Sequence, residues 1–402
     1  MSPTSPGHRP GETGYRRTTV ALFLAGLVTF ATIYCTQPLL PLIGAHFGVT
    51  PAKTTLTVSA TTITLGIALL FLGPVSDAIG RTTVMLASLF ASALVTLASA
   101  AVDQWAVLLL LRAVLGVCVA GLPAVAVAYL REEMHPSAAG RATGLYIGGT
   151  ALGGMSGRLL SGVLADQFGW RWSISGIGLL ALACAVAVRL LLPASRHFVA
   201  QPLAPARLTA KTLRLLRDPL QLALMALAFL AMGAFVACFN VMGFRLEAPP
   251  YSLSVGVAGL VFVVYAFGSW SSARAGRATE QHGPRLVVLG GLALQLLGIA
   301  AVAMRPLWLV VTGLALMSIG FFAAHGVASG WVAAHASSQG LGTGQAASLY
   351  LFAYYVGSSV AGTAAGWAWS GWAWPGVTVL TGAMVVLAVL VTALAPRQGL
   401  AR

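Results

Sequence analysis

Two short stretches of this chain occur twice, about half a chain length apart. Gly73-Pro74-Val75-Ser76-Asp77-Ala78-Ile79-Gly80-Arg81 is echoed by Gly276, Glu280, Gly283 and Arg285, with one residue inserted before the arginine. Gly140, Ala142, Leu145 and Tyr146 recur as Gly344, Ala346, Leu349 and Tyr350. The spacing, about 203–204 positions in a chain of 402, makes the molecule two homologous halves. The residues are 58% hydrophobic and 8% charged, whereas a soluble domain is about a quarter charged. A water-soluble core of this length cannot hide so much apolar surface. A bilayer is therefore the solvent, and the expected fold is an all-α integral membrane protein of twelve transmembrane helices arranged as two pseudo-symmetric six-helix bundles.

Crossing the hydrocarbon takes a run of about 20 apolar residues, and twelve runs qualify. The first six are Thr18–Leu40, Leu56–Val75, Thr83–Val102, Trp105–Leu130, Ala142–Ala165 and Trp172–Leu192. The second six are Leu220–Phe244, Val255–Ala273, Leu286–Met304, Leu307–Ala334, Gln345–Gly366 and Trp374–Leu394. The separations are weakest at Arg305-Pro306 and between the last two runs. The predicted organisation is a tail over 1–17, a first bundle over 18–192, a basic linker over 193–219, a second bundle over 220–395 and a tail over 396–402. With both termini inside, sixteen basic residues from Arg9 to Arg402 fall in cytoplasmic segments, and only Lys53, Arg171, Arg245 and Arg305 fall outside. That asymmetry obeys the positive-inside rule and puts both ends on the cytoplasmic side of the membrane.

The same asymmetry accounts for the formal charge of +14 without nucleic acid. Cys35, Cys118, Cys184 and Cys238 all lie within apolar runs and form no CxxC pair, so neither a disulfide framework nor a metal site is expected. Arg16-Arg17 precedes an apolar stretch, but that stretch is longer than a leader's core and shows no small-residue cleavage site. It reads as a retained first helix. No cluster of nucleophiles, carboxylates and histidines suggests an enzyme, and no cofactor is expected.

Several stretches carry a family resemblance. They are Tyr34-Cys35-Thr36-Gln37-Pro38, Gly73 to Arg81, Gly153-Gly154-Met155-Ser156-Gly157-Arg158, Phe321-Phe322-Ala323-Ala324-His325 and Ala346-Ala347-Ser348-Leu349-Tyr350-Leu351-Phe352. Over essentially its whole length the chain resembles the major facilitator superfamily, within it the YnfM-type transporters of the drug and arabinose efflux-like branch. The resemblance implies a carrier working by alternating access and a cross-bundle contact for Asp77. It also implies an antiporter-like motif in Gly149–Gly154, where Thr150 replaces the usual proline. Gly73, Asp77, Gly80 and Arg81, with Gly276, Glu280, Gly283 and Arg285, correspond to its gating motif. Ala78 and Thr82 replace the basic residues usual there.

Physical chemistry supports a charged latch at the first copy. Asp77 ends the second predicted helix, where the helix dipole is already negative, so its carboxylate needs a cation. Arg81, four residues on, is one candidate partner. Arg112 and Arg158 lie inside predicted helices, and a buried arginine costs roughly 2.5–3.5 kcal/mol on insertion scales, so each is expected to face a cavity or a partner. For Arg112 the alternative is a structural role on backbone carbonyls. Gly149, Gly153 and Gly157, with Gly154 alongside, form a stripe of small residues that lets helix backbones approach closely.

Tyr34, Gln37, Tyr146, Asn240, Trp270, Tyr350 and Tyr354 are the candidates to line a central path, an apolar pocket with a few polar groups. None of the nine acidic residues lies in the middle of a predicted span. The buried charges are cations, which favours an anionic, zwitterionic or neutral amphipathic substrate over a dication. His325 is the one histidine within a predicted span and hence the best candidate for a titrating group, with coupling through Asp77 or through the substrate itself as the alternatives. The expected function is secondary active transport of a small organic molecule, as proton-coupled efflux by a monomer. Import or symport of an anionic or neutral metabolite, or a sensor that does not transport, are the alternatives.

Overall fold

The computed structural model describes residues 7–195, 198–201 and 205–396. Arg196, Arg397 and Arg402 of the expected cytoplasmic set lie outside the described residues, as do parts of the expected tails and linker. The chain is helical throughout: α1 Thr13–Tyr34, α2 Leu40–Phe47, α3 Pro51–Thr54, α4 Leu56–Ile79, α5 Arg81–Ala100, α6 Trp105–Val119, α7 Gly121–Glu133, α8 Pro136–Leu191, α9 Pro205–Leu215, α10 Pro219–Glu247, α11 Val255–Gly259, a 3-10 turn Leu260–Val264, α12 Tyr265–Val302, α13 Leu307–Ser338 and α14 Thr343–Leu394.

Among the described residues, nine helical stretches are long and apolar enough to cross a membrane. Three of them are too long for one crossing. Helix α8 has 56 residues, about 84 Å of helix at 1.5 Å per residue, against a hydrocarbon core about 30 Å thick. It breaks at Gly169, where φ is +81°. The stretch ending in α12 breaks at Gly283, and α14 breaks at Ala373. Each break falls between two predicted spans, where the apolar pattern lapses. The first predicted span is corrected at its end: α1 stops at Tyr34 rather than Leu40, because Pro38 has no N–H to continue the ladder.

The chain divides into two compact units. The first comprises residues 1–49, 56–203 and 252–263. Its core joins Leu22 and Ala25 of α1, Met85 and Leu89 of α5, Tyr129 of α7 and Ala142 of α8, all at most 1% exposed. The glycine stripe explains how α8 packs so closely on α1. A Cβ at Gly153 would meet the Leu27 backbone, one at Gly149 the Phe23 carbonyl, and one at Gly157 the backbone of Ala31 at 2.5 Å. These glycines are packing residues.

The second unit comprises residues 50–55, 204–251 and 264–402, and repeats the device. A Cβ on Gly357 of α14 would strike the Phe229 backbone in α10, and one on Gly233 would lie 3.1 Å from the Gly357 carbonyl. Several tryptophans gather at one end of each unit, as side chains of a membrane interface do. In the first these are Trp105, Trp170 and Trp172. In the second they are Trp308, Trp372 and Trp374, the last donating to the Val302 carbonyl at 3.0 Å. Trp172, Trp308 and Trp372 stand exposed.

Candidate functional site

The turn between α4 and α5 holds the first gating motif. Gly80 has φ +106°, a conformation that glycine adopts without strain, and it lets the chain reverse directly into α5. Arg81 then points back and pairs with Asp77. It also donates to Glu132 at the end of α7, from Nη2 at 2.8 Å and from Nε at 3.2 Å, and from Nη1 to the Ser76 hydroxyl at 2.6 Å. One guanidinium thus holds two carboxylates and ties α4, α5 and α7 together. Glu132 is 51 residues from Arg81 and carries no spacing signal, so sequence reasoning missed it. Gly73 is lightly packed, and its carbonyl accepts from Ser76 at 2.7 Å. The Asp77 carbonyl accepts from the Gln201 amide at 2.8 Å, so the segment after α8 returns to this turn.

The second copy keeps the turn but not the pairing. Gly283 has φ +76° and Arg285 follows it, as in the first copy. Arg285, however, donates to the carbonyls of Ala395 and Pro396 just past α14. Glu280 is exposed, and among the described residues nothing pairs with it. Glu280 and Arg285, which correspond to the second gating motif, therefore do not pair with each other. Gly276 has open space around it.

The two buried arginines differ as well. Arg112, fully buried in α6, donates from Nε to the Thr57 carbonyl at 3.0 Å and from Nη2 to the Ile33 carbonyl at 2.8 Å, with a longer contact to Thr32 O. Carbonyls in the last turn of a helix lack intrahelical donors, and the dipole there is negative, so a guanidinium suits both. The geometry makes Arg112 a brace that caps α1 where it stops and fastens it to α4 and α6. Gly116, one turn on, allows that closeness, since a Cβ there would collide with Thr61 and Thr64.

Arg158 of α8 is 2% exposed and is set among side chains instead. Its Nε donates to Gln37 Oε1 at 2.5 Å, its Nη1 to the Gly154 carbonyl at 2.5 Å, and its guanidinium lies 4.0 Å from the centre of the Tyr34 ring and 5.2 Å from that of Phe262. Tyr34, Gln37 and Arg158 are therefore one constellation at the end of α1. The guanidinium thus contacts an amide oxygen, a backbone carbonyl and two π faces. Phe262 was not legible in the sequence, because it reaches Arg158 from a distant segment.

The second unit supplies an aromatic cluster. His325 of α13 shares a hydrogen bond between Nδ1 and the Tyr350 hydroxyl of α14 at 3.0 Å. Its ring stacks on Phe321 at 5.7 Å and lies 4.7 Å from Tyr354. These four residues line a small cavity with Leu227, Ala228, Ala231 and Ala324. Phe235 continues the stack, 4.3 Å from Phe321.

The remaining candidates lie elsewhere. Tyr146 sits in the core of the first unit beside α1, and Asn240 is buried in α10. Trp270 is exposed, with Arg274 stacked 4.5 Å from its ring, and does not join the cavity.

The comparisons with known proteins agree with this architecture. A family model described as Major Facilitator Superfamily matches residues 22–273. The inner membrane transport protein YnfM of Escherichia coli (strain K12) is 44% identical over 95% of this chain and 91% of its own length. An uncharacterised MFS-type transporter, YybF of Bacillus subtilis (strain 168), is 38% identical over 92% of this chain and 91% of its own. Among solved structures, a bacterial homologue of the human lysosomal transporter Spinster, inward-facing and occupied, superposes with a TM-score of 0.75 at 16% identity. That match covers 95% of this chain and 96% of the other, and shows the fold. With the family model spanning most of the chain and a relative of such identity along nearly all of it, the chain belongs to the Major Facilitator Superfamily of membrane transporters.

Proposed function

We propose that this transporter exports a small anionic, zwitterionic or neutral amphipathic organic molecule in exchange for protons, as a monomer working by alternating access in the inner membrane, both termini cytoplasmic. The observation that carries this reading is the placement of charge. Arg158 is buried against Tyr34 and Gln37 inside a membrane helix, whereas the nine acids sit in connections or within a few residues of a helix end or break. A dication entering such surroundings meets a like charge and no carboxylate, and desolvating it there is unfavourable. An anion meets a guanidinium.

His325 is the proton carrier in this reading, and Tyr350 sets its orientation. With Nδ1 accepting from the tyrosine hydroxyl, the neutral ring carries its proton on Nε2. Protonation places a hydrogen on Nδ1, so the Tyr350 hydroxyl must turn and accept. The bond reverses direction while the heavy atoms stay in place. Gating falls to the Asp77–Arg81–Glu132 knot, which fixes the ends of three helices through one side chain. Substrate and proton both act without a cofactor, and no covalent step is involved.

A screen in sealed proteoliposomes containing a pH reporter tests the proposal. Organic anions, zwitterions and neutral amphiphiles are expected to change the internal pH on addition, and the Arg158→Ala variant is expected to lose the response to anions. A strongest response from dicationic compounds would overturn the substrate assignment. Unchanged proton movement in His325→Gln would overturn the carrier assignment.

A further inference from the structure

The structure of the second unit contains a helix that crosses nothing. Helix α9 has 11 residues and ends at Leu215, and the chain turns through Leu216–Asp218 into the membrane helix α10. Asp218 caps α10 by accepting from the Gln221 amide at 2.7 Å. Helix α9 is thus held level with the first turn of α10. The far end of α10 carries Arg245, which donates to the carbonyls of Val302 and Met304, and Val302 also receives the Trp374 indole. Helix α9 therefore sits at the end of the unit opposite Arg245 and Trp374.

One stripe of α9 is docked on the unit. Leu215 is fully buried, and Thr212 Oγ1 accepts from Gln345 Nε2 at 3.0 Å. The rest faces outward. Leu213 and Leu216 are 50% and 39% exposed, and Lys211, Arg214 and Arg217 are exposed beside them. From Pro193 to Arg217 the chain has five basic residues and no acid. The next acid, Asp218, is engaged by His335 Nε2 at 2.9 Å as well as by the cap. Exposed leucines interleaved with exposed cations, fixed at the level where a membrane helix begins, are the features of an in-plane interfacial helix.

We propose that α9 and the turn after it bind anionic phospholipid headgroups, with Lys211, Arg214 and Arg217 on the phosphates and Leu213 and Leu216 in the acyl boundary. This segment anchors the start of the second half to the charged leaflet. Lipid suits this surface better than an acidic protein segment, because exposed leucines alternate with the cations beside the start of a membrane helix and α9 is already tied along its opposite stripe. The inference stands whatever the transported solute.

The full-length protein carrying Leu213→Cys, labelled with a thiol-directed fluorophore, tests the proposal, with the unmodified chain labelled in parallel as background. It is reconstituted in phosphatidylcholine containing a minor fraction of brominated phosphatidylglycerol or, separately, the same fraction of brominated phosphatidylcholine. The expected result is stronger quenching by the anionic lipid. Local enrichment should fall about fivefold for each cation converted to glutamine, and should weaken with salt. Equal quenching by both lipids, quenching by neither, or a preference unchanged in Lys211→Gln/Arg214→Gln/Arg217→Gln would overturn the proposal. Should that triple variant fail to fold, the salt titration of Leu213→Cys alone decides between the same outcomes.

Discussion

The two copies of the repeated turn share a backbone and differ in chemistry. Each places a glycine at positive φ, Gly80 and Gly283, ahead of an arginine. In the first half Arg81 gathers Asp77 and Glu132, so three helices end on one cation. In the second half Arg285 caps the carbonyls after α14, and Glu280 stands exposed. Duplication preserved the fold of the turn, whereas the ionic contacts belong to the first copy alone. A backbone reversal needs only the glycine. A charge network needs carboxylates within reach at two other helix ends, whereas Arg285 meets backbone carbonyls.

That difference is most exposed to test at the arginines. Arg81→Ala is expected to lower the transport rate by at least about tenfold, a loss of roughly 1.4 kcal/mol or more of barrier stabilisation, with normal membrane insertion. Asp77→Asn should follow it in direction. Vesicle transport assays at equal protein density provide the check, and an unimpaired Arg81→Ala would remove the knot from the mechanism. Arg112→Ala should act on stability instead, by about 2 kcal/mol, because buried carbonyls lose their donors. Thermal unfolding in detergent measures this, and Arg158→Ala, which strips a donor from buried Gln37, should cost a comparable amount and in addition lose transport of anions.

Smaller effects come from packing. Gly153→Ala forces a methyl into the Leu27 backbone and should destabilise by about 1–3 kcal/mol, with Gly357→Ala comparable in the second half. Gly148→Ala, where a Cβ meets open space, serves as the neutral control in the same unfolding experiment. The smallest effect is expected for Arg285→Ala, with a transport rate within about twofold of the parent, well under 1 kcal/mol of barrier. A loss equal to that of Arg81→Ala would show that the two copies work alike despite their different partners.

Much of the architecture was legible because it follows from hydrophobicity and turn chemistry. The gap between Ala165 and Trp172, the Gly283-Pro284 pair and Arg305-Pro306 each mark a break that the helices observe. The end of α1 was read too late, since the apolar pattern runs on to Leu40. Pro38 was the available signal, because a proline within such a run leaves a carbonyl one turn back without its donor. The glycine stripe was legible as a close contact but not its partner, α1.

Side-chain constellations were harder to read. That Arg112 and Arg158 need compensation follows from their burial. That one finds carbonyls while the other finds Gln37, Tyr34 and Phe262 depends on which helices meet. Nothing in the spacing of His325 and Tyr350, 25 residues apart, announces a hydrogen bond, and Trp270 looked equally suited to a pocket until its exposure was known.

A carrier, unlike a pore or a sensor, shows counterflow, which tests the alternating-access reading most directly. Proteoliposomes preloaded with an unlabelled substrate from the screen should take up the labelled compound transiently above its equilibrium level, and the overshoot should vanish in Arg81→Ala. Uptake that ignores the internal load and rises without saturation as the external concentration increases would contradict the account.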